Sequence, residues 1–118
     1  MSVQNLTPET IEEFINKPKV AVATQISDIV SVVDFWADWC GPCKVLSPVL
    51  DSMAQKYEGA IKVGKLNVAN NPEVGSEYKI TNIPCLIVFK DGKEIDRMVG
   101  FKGKESLETL FSKHTKGS

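Results

Sequence analysis

The chain has 118 residues, with 14 basic and 15 acidic side chains and a formal net charge of −1. That length fits one domain, and 42% hydrophobic with 25% charged residues is a globular composition that excludes a disordered chain. No basic excess is present to neutralise phosphates, which excludes nucleic acid and anionic membranes as preferred partners, and apolar runs such as 86–89 and 20–23 are far too short to span a bilayer.

Residues 1–10 are polar and lack the basic-then-apolar pattern of a secretion signal, so the expected location is the cytoplasm. Thr7-Pro8-Glu9 offers a hydroxyl cap, a proline at the first helical position and an acid in the first turn. Ile11, Phe14 and Ile15 follow at i, i+3, i+4 spacing, which predicts a short amphipathic helix over 8–16, ended by Lys17-Pro18. Residues 20–29 are rich in β-branched side chains but interrupted by Thr24, Gln25, Ser27 and Asp28, and receive no assignment.

Residues 30–37 are apolar on both faces, as in a central strand covered on both sides, with Asp34 as the interruption. Leu46, Val49, Leu50, Met53, Ala54 and Tyr57 then keep helical spacing up to a glycine stop at Gly59, with Pro48 expected to bend the helix. A strand over 61–68 follows, then a short helix opened by Asn71-Pro72 and running to about residue 78. Residues 85–90 form a second apolar strand, which Asp91-Gly92 turns into a charged edge strand over 93–99. A helix over 103–114, with Leu107, Leu110 and Phe111 on one face, closes the chain. This order predicts an α/β fold, a central mixed sheet with helices on both faces.

Three cysteines are too few for a disulfide-stapled scaffold, and two of them are spaced as Cys40-Gly41-Pro42-Cys43. The pair follows the 30–37 strand directly, so Cys40 falls at the N-terminus of the next helix, where free N–H groups and the helix dipole favour a thiolate. Cys43, one turn on, can reach back and close a small ring, and Pro42 stiffens the loop between them. The alternatives are zinc or inert core cysteines. Zinc needs about four ligands, and outside the pair the chain offers Cys85 in an apolar strand and His114 in a polar tail. Asp34 in the run Val32-Val33-Asp34-Phe35-Trp36 faces a large desolvation cost when charged, which should raise its pKa. Lys65 shares strand parity with Ile61 and Val63.

The stretch Phe35-Trp36-Ala37-Asp38-Trp39-Cys40-Gly41-Pro42-Cys43-Lys44 resembles the active-site stretch of thioredoxins almost residue for residue. The resemblance continues through Pro48, Lys65-Leu66-Asn67, Ile83-Pro84, Phe89-Lys90-Asp91-Gly92 and Val99-Gly100, covering roughly 32–111 in family order. It implies a thioredoxin-like three-layer sandwich, a single domain over 1–118, and a protein disulfide reductase. In that chemistry Cys40 attacks a client disulfide and Cys43 resolves the mixed disulfide. Asp34 would be the buried acid that moves a proton to or from Cys43, and Lys65 its neighbour. Pro84 would be a cis-proline against the dithiol, with the Ile83 backbone pairing with an extended client segment. Trp39, Gly41, Pro42, Ile83, Pro84, Val99 and Gly100 would form the collar that receives substrate, while Trp36 is assigned to packing.

The resemblance further implies a monomer with no cofactor or metal beyond the Cys40–Cys43 redox disulfide. Its partners would be a thioredoxin reductase as electron donor and clients of the ribonucleotide reductase or peroxiredoxin type. Two departures stand out. Residues 19–28 read as an insertion or an atypical N-terminal segment, and Cys85 replaces the usual threonine after the proline, which would place a third thiol close to the dithiol. A buried, inert Cys85 is the favoured reading over a third redox cysteine. Two functional alternatives remain: an oxidant or isomerase on the same fold, and a thioredoxin-fold subunit serving as a protein-binding module. Gly41-Pro42 and the missing signal argue against the first, and the intact dithiol against the second.

Overall fold

The computed structural model describes residues 3–16 and 29–115. The segment 19–28, read above as an insertion, lies outside the described residues. The elements run β1 (Val3–Asn5), α1 (Ile11–Phe14), β2 (Val30–Trp36), α2 (Gly41–Lys56), β3 (Ile61–Asn67), α3 (Pro72–Glu77), β4 (Cys85–Lys90), β5 (Lys93–Val99) and α4 (Lys104–Lys113). The sheet order is β1-β3-β2-β4-β5, with β1, β3 and β2 parallel and β4 and β5 antiparallel additions.

β2 is central because its side chains have apolar partners on both faces. Val32 joins Leu86 and Val88 of β4 against Leu46, Leu50 and Met53 of α2 and Leu107 and Phe111 of α4. Val33 and Phe35 point the other way, joining Ile87 and Phe89 against Ile11 and Phe14 of α1 and Val74 of α3. The expected sandwich is thus present, with α2 and α4 on one face and α1 and α3 on the other. Each fully buried leucine, isoleucine or phenylalanine in these clusters stabilises the fold by about 1.5–3 kcal/mol of transfer free energy. Gly64 of β3 marks the tightest approach, since a Cβ there would sit 2.6 Å from Leu6 Cδ1 and 3.1 Å from Phe14 Cζ.

Two expectations need correction. β1 was not foreseen: Val3–Asn5 is half-buried to exposed, and only pairing with β3, Val3 beside Val63 and Asn5 beside Lys65, makes it a strand. Nor does Thr7 cap α1. The helix begins at Ile11, and the Thr7 carbonyl accepts from the N–H groups of Thr10 and Ile11, while the Thr7 N–H donates to Thr10 Oγ1 at 2.9 Å. Residues 8–10 are consumed by that turn. α2, by contrast, runs unbroken past Pro48 to Lys56. Asp91 and Gly92 both adopt positive φ, 52° and 82°, the geometry of the tightest hairpin turns, and the Gly92 N–H donates to Ile15 O at 2.9 Å.

Candidate active site

The chain leaves β2 at Trp36 and enters α2 at Gly41, with Cys40 as the helix N-cap in extended conformation (φ −90°, ψ 108°). Cys40 and Cys43 are joined in a disulfide with their Cα atoms 5.3 Å apart. The Cys43 N–H, one of the helix's unpaired first-turn donors, donates to Cys40 Sγ at 3.2 Å. That hydrogen bond and the dipole of a 16-residue helix both favour negative charge on the Cys40 sulfur. Pro42 lies in the first turn, where its missing N–H costs nothing. Both sulfur-bearing residues are 4% exposed and pack with Ala37, Trp36 and Ile83, whereas Trp39 stands 74% exposed beside them.

Asp34 is 3% exposed and shares the face of β2 that looks toward α2. Burial pushes its carboxyl up from 3.8 to about 7, and the nearby Lys65 ammonium partly opposes the rise. The strand register explains the neighbour, because Asp34 and Lys65 are direct partners in the β2–β3 ladder. Lys65 Nζ also lies 5.2 Å from the centre of the Trp36 ring, a cation–π contact that holds the ammonium over the site. No hydrogen-bond partner for Asp34 Oδ1 exists among the described residues. A cavity of about 90 Å³ lined by Asp34, Trp36, Cys43, Lys44, Ser47 and Lys65 connects the acid to the second cysteine. Its lining is mostly apolar apart from the polar ends of Asp34, Lys44, Ser47 and Lys65, and it is large enough for water, so a proton can pass between Asp34 and Cys43 without direct contact.

The Ile83–Pro84 bond is cis, as the resemblance implied. The Pro84 carbonyl accepts from the Gly100 N–H at 2.7 Å, which ties the turn after β5 to the turn before β4. Val99, 40% exposed, is the ladder partner of Cys85 and flanks this junction. Among the described residues no backbone–backbone hydrogen bond engages Thr81, Asn82 or Ile83. Their N–H and C=O groups are therefore open to an added strand. Gly41 and Pro42 are exposed at the start of α2. Trp39, Cys40, Gly41, Pro42 and Cys43 thus fall at the β2–α2 junction, Ile83 and Pro84 precede β4, Val99 and Gly100 lie at the end of β5, and Lys65 of β3 is the ladder partner of Asp34 within β2.

Cys85 agrees with the favoured buried and inert reading, while its side chain departs from the expected place beside the dithiol. It follows Pro84 in sequence, but its side chain faces the opposite side of the sheet from Asp34, buried among Phe35, Ile87, Phe89 and Val74. The antiparallel register places it opposite Phe35, and parity along β4 turns it away from the dithiol. Burial pushes its thiol up, with Arg97, whose Nη1 lies 3.9 Å from the sulfur, acting in the opposite sense. The inert reading fits this environment.

Sequence reasoning missed Ser47, which lies on the cavity wall with Cys43, four residues earlier on α2. The i, i+4 spacing from Cys43 was the available signal. It also missed Arg97, which donates from Nη2 to Tyr78 O at 2.9 Å and from Nη1 to Lys79 O at 3.1 Å, and is itself held by Glu94 at 2.7 and 2.8 Å. No local pattern announces that contact across 18 residues. A groove of about 580 Å³ extends from Trp39 and Ile83 along Pro72, Gly75, Lys79 and Ile80. Among the described residues, no group of three or more His, Cys, Asp or Glu side chains is placed to hold a metal.

With this geometry in hand, the chain can be set beside known proteins. The thioredoxin family model matches residues 3–113. Thioredoxins of Staphylococcus aureus, among them those of strains Mu50 and MW2, are 47% identical over 91 residues, covering 77% of this chain and 88% of theirs. The crystal structure of a Malassezia sympodialis thioredoxin (Mala s 13) superposes with a TM-score of 0.81 at 28% identity, covering 96% of this chain and 90% of that one.

Proposed function

The chain belongs to the thioredoxin family and is a thiol–disulfide oxidoreductase, and from that premise we propose how its residues divide the work of protein disulfide reduction. The observation that carries the proposal is the Cys40–Cys43 disulfide at the N-terminus of α2, with Cys43 opening onto the cavity that holds Asp34. In the reduced protein the Cys40 thiolate attacks one sulfur of a client disulfide. The client's S–S bond breaks, its leaving thiolate takes a proton, and a mixed disulfide forms. Asp34 then accepts the proton of Cys43 through the cavity, and the Cys43 thiolate attacks Cys40 Sγ. The second client thiolate leaves, two electrons have passed to the client, and the Cys40–Cys43 disulfide is restored.

The remaining residues position the client. Trp39, Gly41, Pro42, Ile83, Pro84, Val99 and Gly100 are assigned to the collar that receives the client: Ile83 packs on the cysteines, the Pro84 carbonyl accepts from the Gly100 N–H, and the open Thr81–Ile83 backbone supports pairing with an extended client segment. Lys65 limits how far Asp34 is pushed up, which keeps it able to ionise near neutral pH.

A reductase of this kind needs an electron donor that returns it to the dithiol, so its proposed partners are a thioredoxin reductase and client proteins of the ribonucleotide reductase or peroxiredoxin type. It also needs a compartment that keeps thiols reduced, so the proposed setting is the cytoplasm, where the chain would act as a monomer with no cofactor beyond its own disulfide. Among the described residues no helix is long and apolar enough to cross a membrane.

The test separates the two cysteines. Cys43→Ser should still attack clients and accumulate mixed disulfides visible on non-reducing gels, while Cys40→Ser should form none and lose reduction altogether. Trapping by Cys40→Ser in place of Cys43→Ser would reverse the assignment.

A further inference from the structure

Helix α3 ends, on the groove it shares with Trp39 and Ile83, in a turn whose conformation normally belongs to glycine. Lys79 N–H donates to Ser76 O at 3.1 Å and Ile80 N–H to Gly75 O at 2.8 Å, the paired bonds of a Schellman motif with Lys79 at its left-handed position (φ 56°). Among the described residues, the other non-glycine residues with positive φ are Asn16 and Asp91, types that tolerate it. A lysine there carries a backbone penalty that a glycine would remove. The turn is also clamped from outside, since Arg97 donates to the carbonyls of both Tyr78 and Lys79, and Glu94 is engaged in holding Arg97.

What this position presents is an exposed ammonium in the groove that begins at Trp39 and Ile83. Every other lining residue of that groove is uncharged, and among the described residues Lys79 takes part in no salt bridge. We propose that Lys79 is a specificity-determining residue: the groove takes an extended client segment flanking the attacked disulfide, and a carboxylate on that segment pairs with the Lys79 ammonium. This deepens the reductase reading and rests on it. Lys79 and Ile83, where the client backbone pairs, line the same groove with three residues between them in sequence, so the carboxylate lies several residues from the client cysteine and not at it.

The experiment uses the full chain and synthetic disulfide peptides made in sets of three, Glu, Gln or Lys at one position, with that position moved from roughly two to six residues from the cysteine. kcat/KM is measured for each, and the Gln peptide serves as the internal reference for every protein. The wild type should favour the Glu peptide over the Lys peptide by about two- to fivefold, the range of a single exposed ion pair, through KM and not kcat. The ratio should shrink toward one at high salt, vanish in Lys79→Gln and invert in Lys79→Glu. Lys79→Gly should lose the preference while melting higher than wild type, because glycine relieves the backbone penalty. Equal rates on all three peptides of every set in the wild type, or a preference that survives in Lys79→Gln, would overturn the assignment while leaving the reductase reading intact. No reduction of any peptide would instead sink the reductase reading. Sedimentation showing a dimer that Lys79→Glu dissociates would put a second copy of the chain in the groove and overturn the proposal as well.

Discussion

Replacing Asp34 by Asn tests the energetic core of the site. The carboxyl is raised from 3.8 to about 7 by burial, with Lys65 opposing. A folded-state pKa above the unfolded value means that the native state holds a proton the unfolded chain has already released. Below about pH 3 both states are protonated and Asp34 costs nothing. As pH rises the unfolded carboxyl ionises first and stability falls, until the native carboxyl ionises near pH 7 and the loss levels off. At about 1.4 kcal/mol per pH unit, the plateau is about 4 kcal/mol, and part of it is already lost at pH 5. Asp34→Asn keeps the shape and removes the titration. In urea unfolding of the oxidised proteins, the variant should match the wild type near pH 3 and exceed it by about 4 kcal/mol at pH 8. The same substitution removes the proton acceptor for Cys43, so turnover near neutral pH should fall by about tenfold or more even as stability rises. A stability difference that is flat with pH, or that grows on acidification, would refute the burial argument.

Two further outcomes follow from the same contacts. Lys65→Met removes the cation that restrains the Asp34 carboxyl, so the Asp34 titration followed by NMR should move further up from about 7, and the pH profile of turnover should move with it. An unchanged titration would show that the ladder partner exerts no field on the acid. Cys85→Thr should retain most reductase activity and change stability by no more than about 1–2 kcal/mol. Thiol titration of the folded, oxidised wild type should likewise find no fast-reacting sulfur, because burial pushes the Cys85 thiol up and its side chain faces away from the dithiol. A Cys43–Cys85 disulfide in peptide maps would contradict that placement.

What the sequence by itself determined is whatever rests on spacing along the chain. The apolar run of β2 and the helical spacing after Cys43 located the strand–helix junction, and with it a dithiol at a helix N-terminus. The cost of an acid amid Val32, Val33 and Phe35 was equally legible, since both of its flanks are apolar whichever way the sheet is assembled. The tertiary structure decided everything that depends on register. Val3–Asn5 has no apolar alternation of its own and becomes a strand only beside β3. Lys65 restrains Asp34 because the parallel ladder pairs the two positions 31 residues apart in sequence. Cys85 adjoins Pro84 yet faces α1 and α3, since one step along a strand reverses the side-chain direction and only pairing with Phe35 fixes which direction that is. Arg97 and Lys79 acquire their roles the same way, the arginine of one strand clamping the helix turn that aims the lysine into the groove. Periodicity assigns a residue to a face of its own element, but which elements share that face is set by long-range packing, and a single sequence carries that information only in the sum of its contacts.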